Sequence, residues 1–200
     1  MNLFILMKKP FHWLDATKKA DFLVPLLLRL YLAPVFWMAG MNKIGDMGSV
    51  IEWFGNDDWG LGLPFPFLLA WLAALTEIVG AVFLVLGFGV RLINIPLMVT
   101  MLVAVFTVHW PNGWQAVADP VSAFAGAGID QTMDRLAIAK NILQEHGNYS
   151  WLTQKGGFVI SNNGIEWAVT YFLMCFTLFF YGAGRYVSLD YYLSRYIAKK

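Results

Sequence analysis

Residues 64–91 read PFPFLLAWLAALTEIVGAVFLVLGFGVR, and this stretch decides the fold class. Roughly 25 of its residues are apolar, which at about 1.5 Å per residue is enough to cross a bilayer core of about 30 Å. One carboxylate, Glu77, lies near the middle of the stretch. A charge at that depth costs about 2.5–3.5 kcal/mol even on lenient insertion scales, so Glu77 needs a partner or a wet cavity.

The composition also predicts an integral membrane protein. The 200 residues are 58% hydrophobic and only 14% charged, whereas soluble proteins average about 25% charged residues. The mean hydropathy is +0.58. The formal net charge of +1 gives no reason to expect nucleic acid as a partner. The single cysteine, Cys175, excludes an intrachain disulfide, a CxxC motif and a cysteine-based zinc motif.

Three further apolar stretches accompany the first. We predict an all-α membrane protein, a four-helix bundle that forms a single domain over residues 1–200. Its transmembrane helices are expected at residues 22–42, 64–88, 92–110 and 165–182. The sequence between the last two, residues 111–164, is expected to form an extracytoplasmic insert. Within it, MDRLAIAKNILQEHG has apolar residues at helical spacing, which predicts a surface helix stopped by Gly147.

Charge predicts the orientation of the spans. With both termini in the cytoplasm, the inner face carries nine lysines and arginines and the outer face carries four. This distribution follows the tendency of positive residues to remain inside. Residues 1–21 mix lysines with aromatic side chains, as in an amphipathic segment on the membrane surface or a partly ordered tail. The tyrosines and basic residues of the last 19 positions suit a second interfacial helix.

The first candidate site is an intramembrane polar pair between Arg29 and Glu77. Arg29 lies in the first predicted span, and an arginine side chain is long enough to bridge a modest difference in depth. Two alternatives remain open. Arg29 can extend back to the lipid headgroups, or the pair can serve only to specify how the first two spans pack.

The second candidate site is an outer-face cluster of four polar residues near the outer ends of the first, third and fourth spans: Lys43, His109, Asn112 and Glu166. A quinone site needs an apolar slot, donors for the carbonyl oxygens and a proton carrier. Lys43 or Arg29 could donate, and His109 or Glu77 could carry protons. A quinone is therefore the candidate cofactor, although the sequence does not assign one firmly.

Motifs for other redox groups and metals are missing. The sequence has no CxxCH, no iron–sulfur cysteine pattern and no GxGxxG after a strand. Electrons would therefore come from a partner or a bound quinone. A metal site would require His12, His109 and His146 to converge, but His12 is expected on the opposite side of the membrane. His109 and His146 with nearby methionines could bind copper, but we predict no metal site.

The order of the polar motifs resembles the DoxX family of small four-helix bacterial membrane proteins. The matching pieces are LLLRLYLAPVFWMAGMNKI, LTEIVGAVFLVLGFGVRL, HWPNGW, NNGIEWAVTYF and GAGRYVSLD. Within the family, the chain is most similar to the longer members encoded near machinery for metal-binding peptide natural products. The resemblance places these residues on recurring family positions: Arg29, Gly40, Lys43, Glu77, Gly80, Gly87, Arg91, His109, Asn112, Gly113, Glu166, Gly184 and Asp190.

The resemblance implies a multi-pass protein of the bacterial inner membrane, with the lipid bilayer and a protein partner or a second copy around it. Family members are linked to quinone-coupled oxidation of small sulfur compounds and to membrane complexes that manage oxidative stress. Three hypotheses follow. The chain is a subunit of a redox assembly that binds quinone or a small reductant, a non-enzymatic scaffold that docks a periplasmic protein at residues 115–164, or a small transporter component. Whether it catalyses a reaction is left open.

Overall fold

The computed structural model describes Asp15 and residues 17–199. Residues 1–14, which include His12, and residue 16 of the predicted amphipathic start lie outside this part. The described residues are helical and contain no β-strand, and the bridge between Val117 and Ser161 is isolated. The prediction of an all-α protein is therefore confirmed.

The α-helices have the following bounds: α1 Leu23–Gly45, α2 Met47–Gly55, α3 Pro66–Leu86, α4 Val90–Val103, α5 Ile129–His146, α6 Tyr149–Leu152, α7 Glu166–Tyr181 and α8 Leu189–Ile197. A 3₁₀ turn precedes α1. The helix α4 continues as a π-helix, Ala104–His109, and a 3₁₀ turn, Trp110–Asn112.

Among the described residues, three helical stretches are long and apolar enough to cross a membrane: Lys18–Gly45, Pro66–Leu86 and Val90–Asn112. They correspond to the first three predicted spans, so the chain is a multi-pass membrane protein. The fourth predicted span coincides with α7, which has 16 residues. At about 1.5 Å per residue, α7 extends for about 24 Å, less than the usual bilayer core of about 30 Å. A fourth span, the bundle and the cytoplasmic termini stay predictions.

The chain forms two compact units. Unit 1 comprises the described residues up to 100 and from 172 onward, and unit 2 comprises residues 101–171. The single domain over 1–200 remains a prediction beside this division. In unit 1, α1 packs against α3. Leu32 and Phe36 of α1 and Ala70 and Ala74 of α3 are buried. Large apolar side chains point outward, as expected for helices that face lipid.

The α3–α4 connection is a tight turn. The helix α3 ends at Leu86, and α4 begins at Val90. Gly87 and Gly89 both have positive φ, +65° and +55°, a conformation that glycine adopts without steric cost. The hairpin therefore fixes one end of unit 1.

Unit 2 is held together by the chain before α7 running beside residues 113–118. The amide of Asn162 donates to the carbonyl of Ala116 at 2.9 Å, and the amide of Glu166 donates to that of Trp114 at 2.9 Å. The predicted surface helix is present as α5, and it ends at His146, immediately before Gly147. These contacts place the beginning of α7 beside the segment that follows the third apolar stretch.

Candidate functional site

The buried carboxylate of α3 has a lysine partner. Glu77 is 2% exposed, and Lys43 Nζ donates to its Oε1 at 2.8 Å and to its Oε2 at 2.7 Å. The side chain of Lys43 is 24% exposed, whereas that of Glu77 is 3% exposed. The pair therefore joins a shielded carboxylate to a cation that reaches the surface of unit 1.

A glycine one turn before Lys43 makes this pairing possible. A Cβ atom on Gly40 would lie 3.2 Å from the Cβ of Glu77 and 2.6 Å from Cγ1 of Ile78. Residues three apart share a helix face, so the face of α1 that meets α3 at Gly40 also presents Lys43. The close approach of the two helices at Gly40 therefore brings the ammonium group to the carboxylate.

The predicted pair between Arg29 and Glu77 is wrong. The contacts of α1 with α3 set an antiparallel register in which Gly40 meets Glu77 and Arg29 meets Gly87. Gly87 is ten residues beyond Glu77, a distance of about 15 Å along a helix. An arginine side chain cannot bridge that distance. Counting depth from the ends of the spans missed this register, and Lys43 takes the predicted place of Arg29.

Arg29 is fully buried at the hairpin end of unit 1. Its Nη2 donates to the carbonyl of Val187 at 2.6 Å. Its Nε and Nη1 have no hydrogen-bond acceptor among the residues that the structure describes, although the Asp190 carboxylate attracts the guanidinium. A Cβ atom on Gly87 would overlap this guanidinium. Arg29 thus links α1 to the segment before α8.

Asp190 is a structural residue that the site predictions missed. Its Oδ1 accepts from the amide of Gly89 at 2.7 Å, and its Oδ2 accepts from that of Val90 at 3.1 Å. Its own amide donates to the carbonyl of Gly87 at 3.0 Å. A carboxylate on free amides at a helix start is favourable, so Asp190 caps α4. In the sequence, Asp190 falls on a recurring family position in the GAGRYVSLD motif. The motif did not show which residues Asp190 would contact.

The predicted outer-face cluster divides between the two units. In unit 2, His109 Nδ1 lies 2.9 Å from the carbonyl oxygen of Asn163, and Asn112 Nδ2 donates to the same oxygen at 3.1 Å. Because a carbonyl only accepts, His109 carries its hydrogen on Nδ1. Glu166 Oε2 accepts from the amide of Ala116 at 2.9 Å. These three residues join the two segments of unit 2, while Lys43 binds Glu77 in unit 1.

The described residues contain no group of three or more histidine, cysteine, aspartate or glutamate side chains that could hold a metal ion. Cys175 is fully buried as a free thiol. The buried polar groups of unit 1 include the carboxylate of Glu77 in its pair with Lys43, the guanidinium of Arg29 and the side chain of Asn94.

A known protein family matches the part of the chain that carries Arg29, Lys43, Glu77 and His109. The DoxX family model matches residues 24–110. This part of the chain is similar to the DoxX family. This match confirms the resemblance for the first three apolar helices. Asn112, Glu166 and the C-terminal capping residues lie beyond the matched DoxX residues.

One curated relative of the chain is a protein of Bacillus subtilis (strain 168) named "Putative oxidoreductase CatD". It is 30% identical over 83 residues, which are 42% of this chain. The chain spans 58% of the length of that relative. No solved structure matches the chain significantly.

Proposed function

We propose that this DoxX-like protein is the membrane subunit of a redox assembly, in which Lys43 and Glu77 exchange protons with a bound quinone or small reductant. The observation that carries the proposal is the buried carboxylate of Glu77, with both oxygens held by a lysine that is itself 24% exposed. The name of the Bacillus subtilis relative supports an oxidoreductase assembly.

The chemistry of a quinone suits this pair. Reducing a quinone to a quinol requires electrons and protons together, so a site needs a donor beside the carbonyl oxygen and a group that gives up or takes up a proton. An ammonium group supplies the donor, and a carboxylate shielded from water acts as the proton carrier. The electrons come from a reductant held by a partner protein.

The proposed setting is the bacterial inner membrane, with both termini in the cytoplasm and α7 as a fourth span. The excess of lysine and arginine on the inner side supports this orientation. In this arrangement Lys43, at the end of α1, lies near the outer face. Protons would therefore enter or leave the Lys43–Glu77 site from the outside.

The test is to purify the full chain in native nanodiscs and to extract its bound small molecules for mass spectrometry. We expect near-stoichiometric quinone in the wild type and its loss in both Glu77→Gln and Lys43→Met. The matched control is Glu52→Gln, which removes an exposed carboxylate from α2 and should retain the quinone.

A purely structural pair gives a different result. In that case the double variant Lys43→Met with Glu77→Met folds, and it carries as much bound quinone as the wild type does. A folded double variant without quinone supports the proposal. A wild type that carries no quinone and takes none up on addition contradicts it.

The scaffold hypothesis also has a specific observation in its favour. The insert exposes large apolar side chains, including Val121 at 90%, Trp151 at 64% and Val159 at 66%. Exposed apolar side chains mark a protein interaction site where they form one contiguous patch. A photo-crosslinking residue at position 121, installed in cells, should give one crosslinked protein of defined mass. Crosslinking to lipid alone would contradict this second function.

A further inference from the structure

Unit 2 contains a cavity of about 480 Å³ between residues 114–124 and the first turn of α7. Its aromatic walls are formed by Trp114, Phe124 and Trp167. The rings of Trp114 and Phe124 lie 5.6 Å apart with an interplanar angle of 37°. The volume falls within the range of about 300–1,000 Å³ that small-molecule sites occupy.

The charged groups in the cavity wall are carboxylates. Glu166 and Asp119 line it, and no lysine, arginine or histidine does so in the described part of the chain. One oxygen of each carboxylate has a backbone donor: Glu166 Oε2 accepts from Ala116, and Asp119 Oδ1 accepts from Val121. The wall therefore offers hydrogen-bond acceptors and negative charge to a ligand.

Gln115 adds a buried acceptor to the same wall. The residue is 5% exposed, and its Nε2 donates to the carbonyl of Asp119 at 2.8 Å. Because that carbonyl only accepts, the orientation of the amide is fixed and Oε1 is its free end. This oxygen is shielded from water and has no partner within residues 17–199. A buried acceptor without a donor is unfavourable, so a donor from a ligand would stabilise it.

We propose that this cavity binds a small organic cation with N–H donors, a primary ammonium ion attached to an apolar group. The ammonium group would donate to Glu166 and Gln115 while the aromatic rings contact the cation and its apolar part. This site uses residues of unit 2 and is separate from the proton-exchange role proposed for unit 1.

The test measures the binding of 2-phenylethylamine to the full chain in nanodiscs by titration calorimetry, with the heat of empty nanodiscs subtracted. The neutral analogue 2-phenylethanol has the same apolar part without the charge. We expect saturable binding of the amine and at least tenfold weaker binding of the alcohol, the usual difference for one charge-assisted hydrogen bond.

Two variants remove the negative charge and keep the backbone contacts. In Glu166→Gln and Asp119→Asn, the side-chain oxygen still accepts from the backbone amide. We expect the first to weaken amine binding about tenfold and the second to weaken it severalfold. The matched control, Asp134→Asn, alters an exposed carboxylate on α5 and should bind as the wild type does.

The buried thiol of Cys175 provides a folding check, since a thiol-reactive dye labels it only in unfolded protein. If Glu166→Gln does not fold, Asp119→Asn decides the result. Equal affinity for amine and alcohol overturns the proposal. The same follows if the folded charge variants bind as tightly as the wild type, or if the amine gives no heat beyond that of empty nanodiscs.

Discussion

Lys43 Nζ donates to both carboxylate oxygens of Glu77, and the two side chains differ in burial, with 24% of the lysine and 3% of the glutamate exposed. The lysine stem can turn its ammonium group toward water when its partner is lost. The carboxylate has no such route. The two halves of the pair are therefore not equivalent in their effect on stability.

We predict that Lys43→Met destabilises the protein more than Glu77→Gln does. The first variant leaves a buried carboxylate without a partner, which costs about 3 kcal/mol or more, while the second leaves a lysine that can reach water. The measurement is thermal unfolding in detergent, followed by dye labelling of Cys175, the single cysteine of the chain. Equal losses of thermal stability in the two variants would contradict the prediction that the more buried partner depends more strongly on the ion pair.

Gly40 gives a second prediction. In Gly40→Ala, the new Cβ would lie 2.6 Å from Cγ1 of Ile78 and 3.0 Å from the carbonyl oxygen of Ala74. The backbone oxygen cannot turn away, so α1 must move from α3, at a cost of about 1–3 kcal/mol. Gly45→Ala is the matched control, because a Cβ there meets nothing within 4 Å. The same thermal assay should give a lower unfolding temperature for Gly40→Ala alone.

The hairpin glycines separate backbone strain from steric overlap. Both have positive φ, so either substitution by alanine costs about 1–2 kcal/mol. In Gly89→Ala the new Cβ makes only ordinary contacts with Phe83, whereas in Gly87→Ala it overlaps the guanidinium of Arg29 and also approaches Cβ of Ser188. We expect a clearly larger loss of thermal stability for Gly87→Ala. A second substitution, Arg29→Ala, should reduce the difference between the two glycine variants.

The cap that Asp46 forms on α2 should make the stability of this helix depend on pH. Its side chain accepts from the amide of Ser49 at 3.3 Å at the start of α2. Hydrogen bonding to the Ser49 side chain, and then to its amide, lowers the pKa of the Asp46 carboxyl below its usual value of 3.8. Because the folded pKa is lowered, the cap stabilises α2 fully above that usual value, and the contribution is lost as pH falls through the folded pKa.

The measurement for Asp46 is a titration of the carboxyl carbon by NMR in detergent. We expect a midpoint below 3.8 for Asp46, and Ser49→Pro, which removes the amide donor, should raise it. A midpoint for Asp46 that is not below 3.8, or one that Ser49→Pro leaves unchanged, contradicts the prediction.

The apolar helices follow from the sequence because their signal is local. A run of apolar residues long enough for a bilayer predicts a span without reference to any other part of the chain. The third predicted span, residues 92–110, lies within the helical stretch Val90–Asn112 for this reason. The turn between Leu86 and Val90 is equally local, since its glycines precede an arginine and an apolar run.

The partner of Glu77 does not follow from the sequence because it depends on helix register. Depth estimates from the ends of the spans paired Glu77 with Arg29 and left Lys43 in the outer-face cluster, because such estimates do not resolve the register. The deciding contact is Gly40 against Ile78 and Glu77, which sets the positions of both cations along α3. The capping contacts of Asp190 were inaccessible for the same reason, as they join residues 100 and 101 positions apart.

The bond between Arg29 and the carbonyl of Val187 joins residues separated by 158 positions. During translation, the guanidinium reaches the membrane long before its acceptor has been synthesised. The first helix must therefore keep Arg29 hydrated, or bound to lipid phosphate, until the C-terminal segment leaves the ribosome. Completion of the chain, rather than insertion of the first helices, is the step that seals the hairpin end of unit 1.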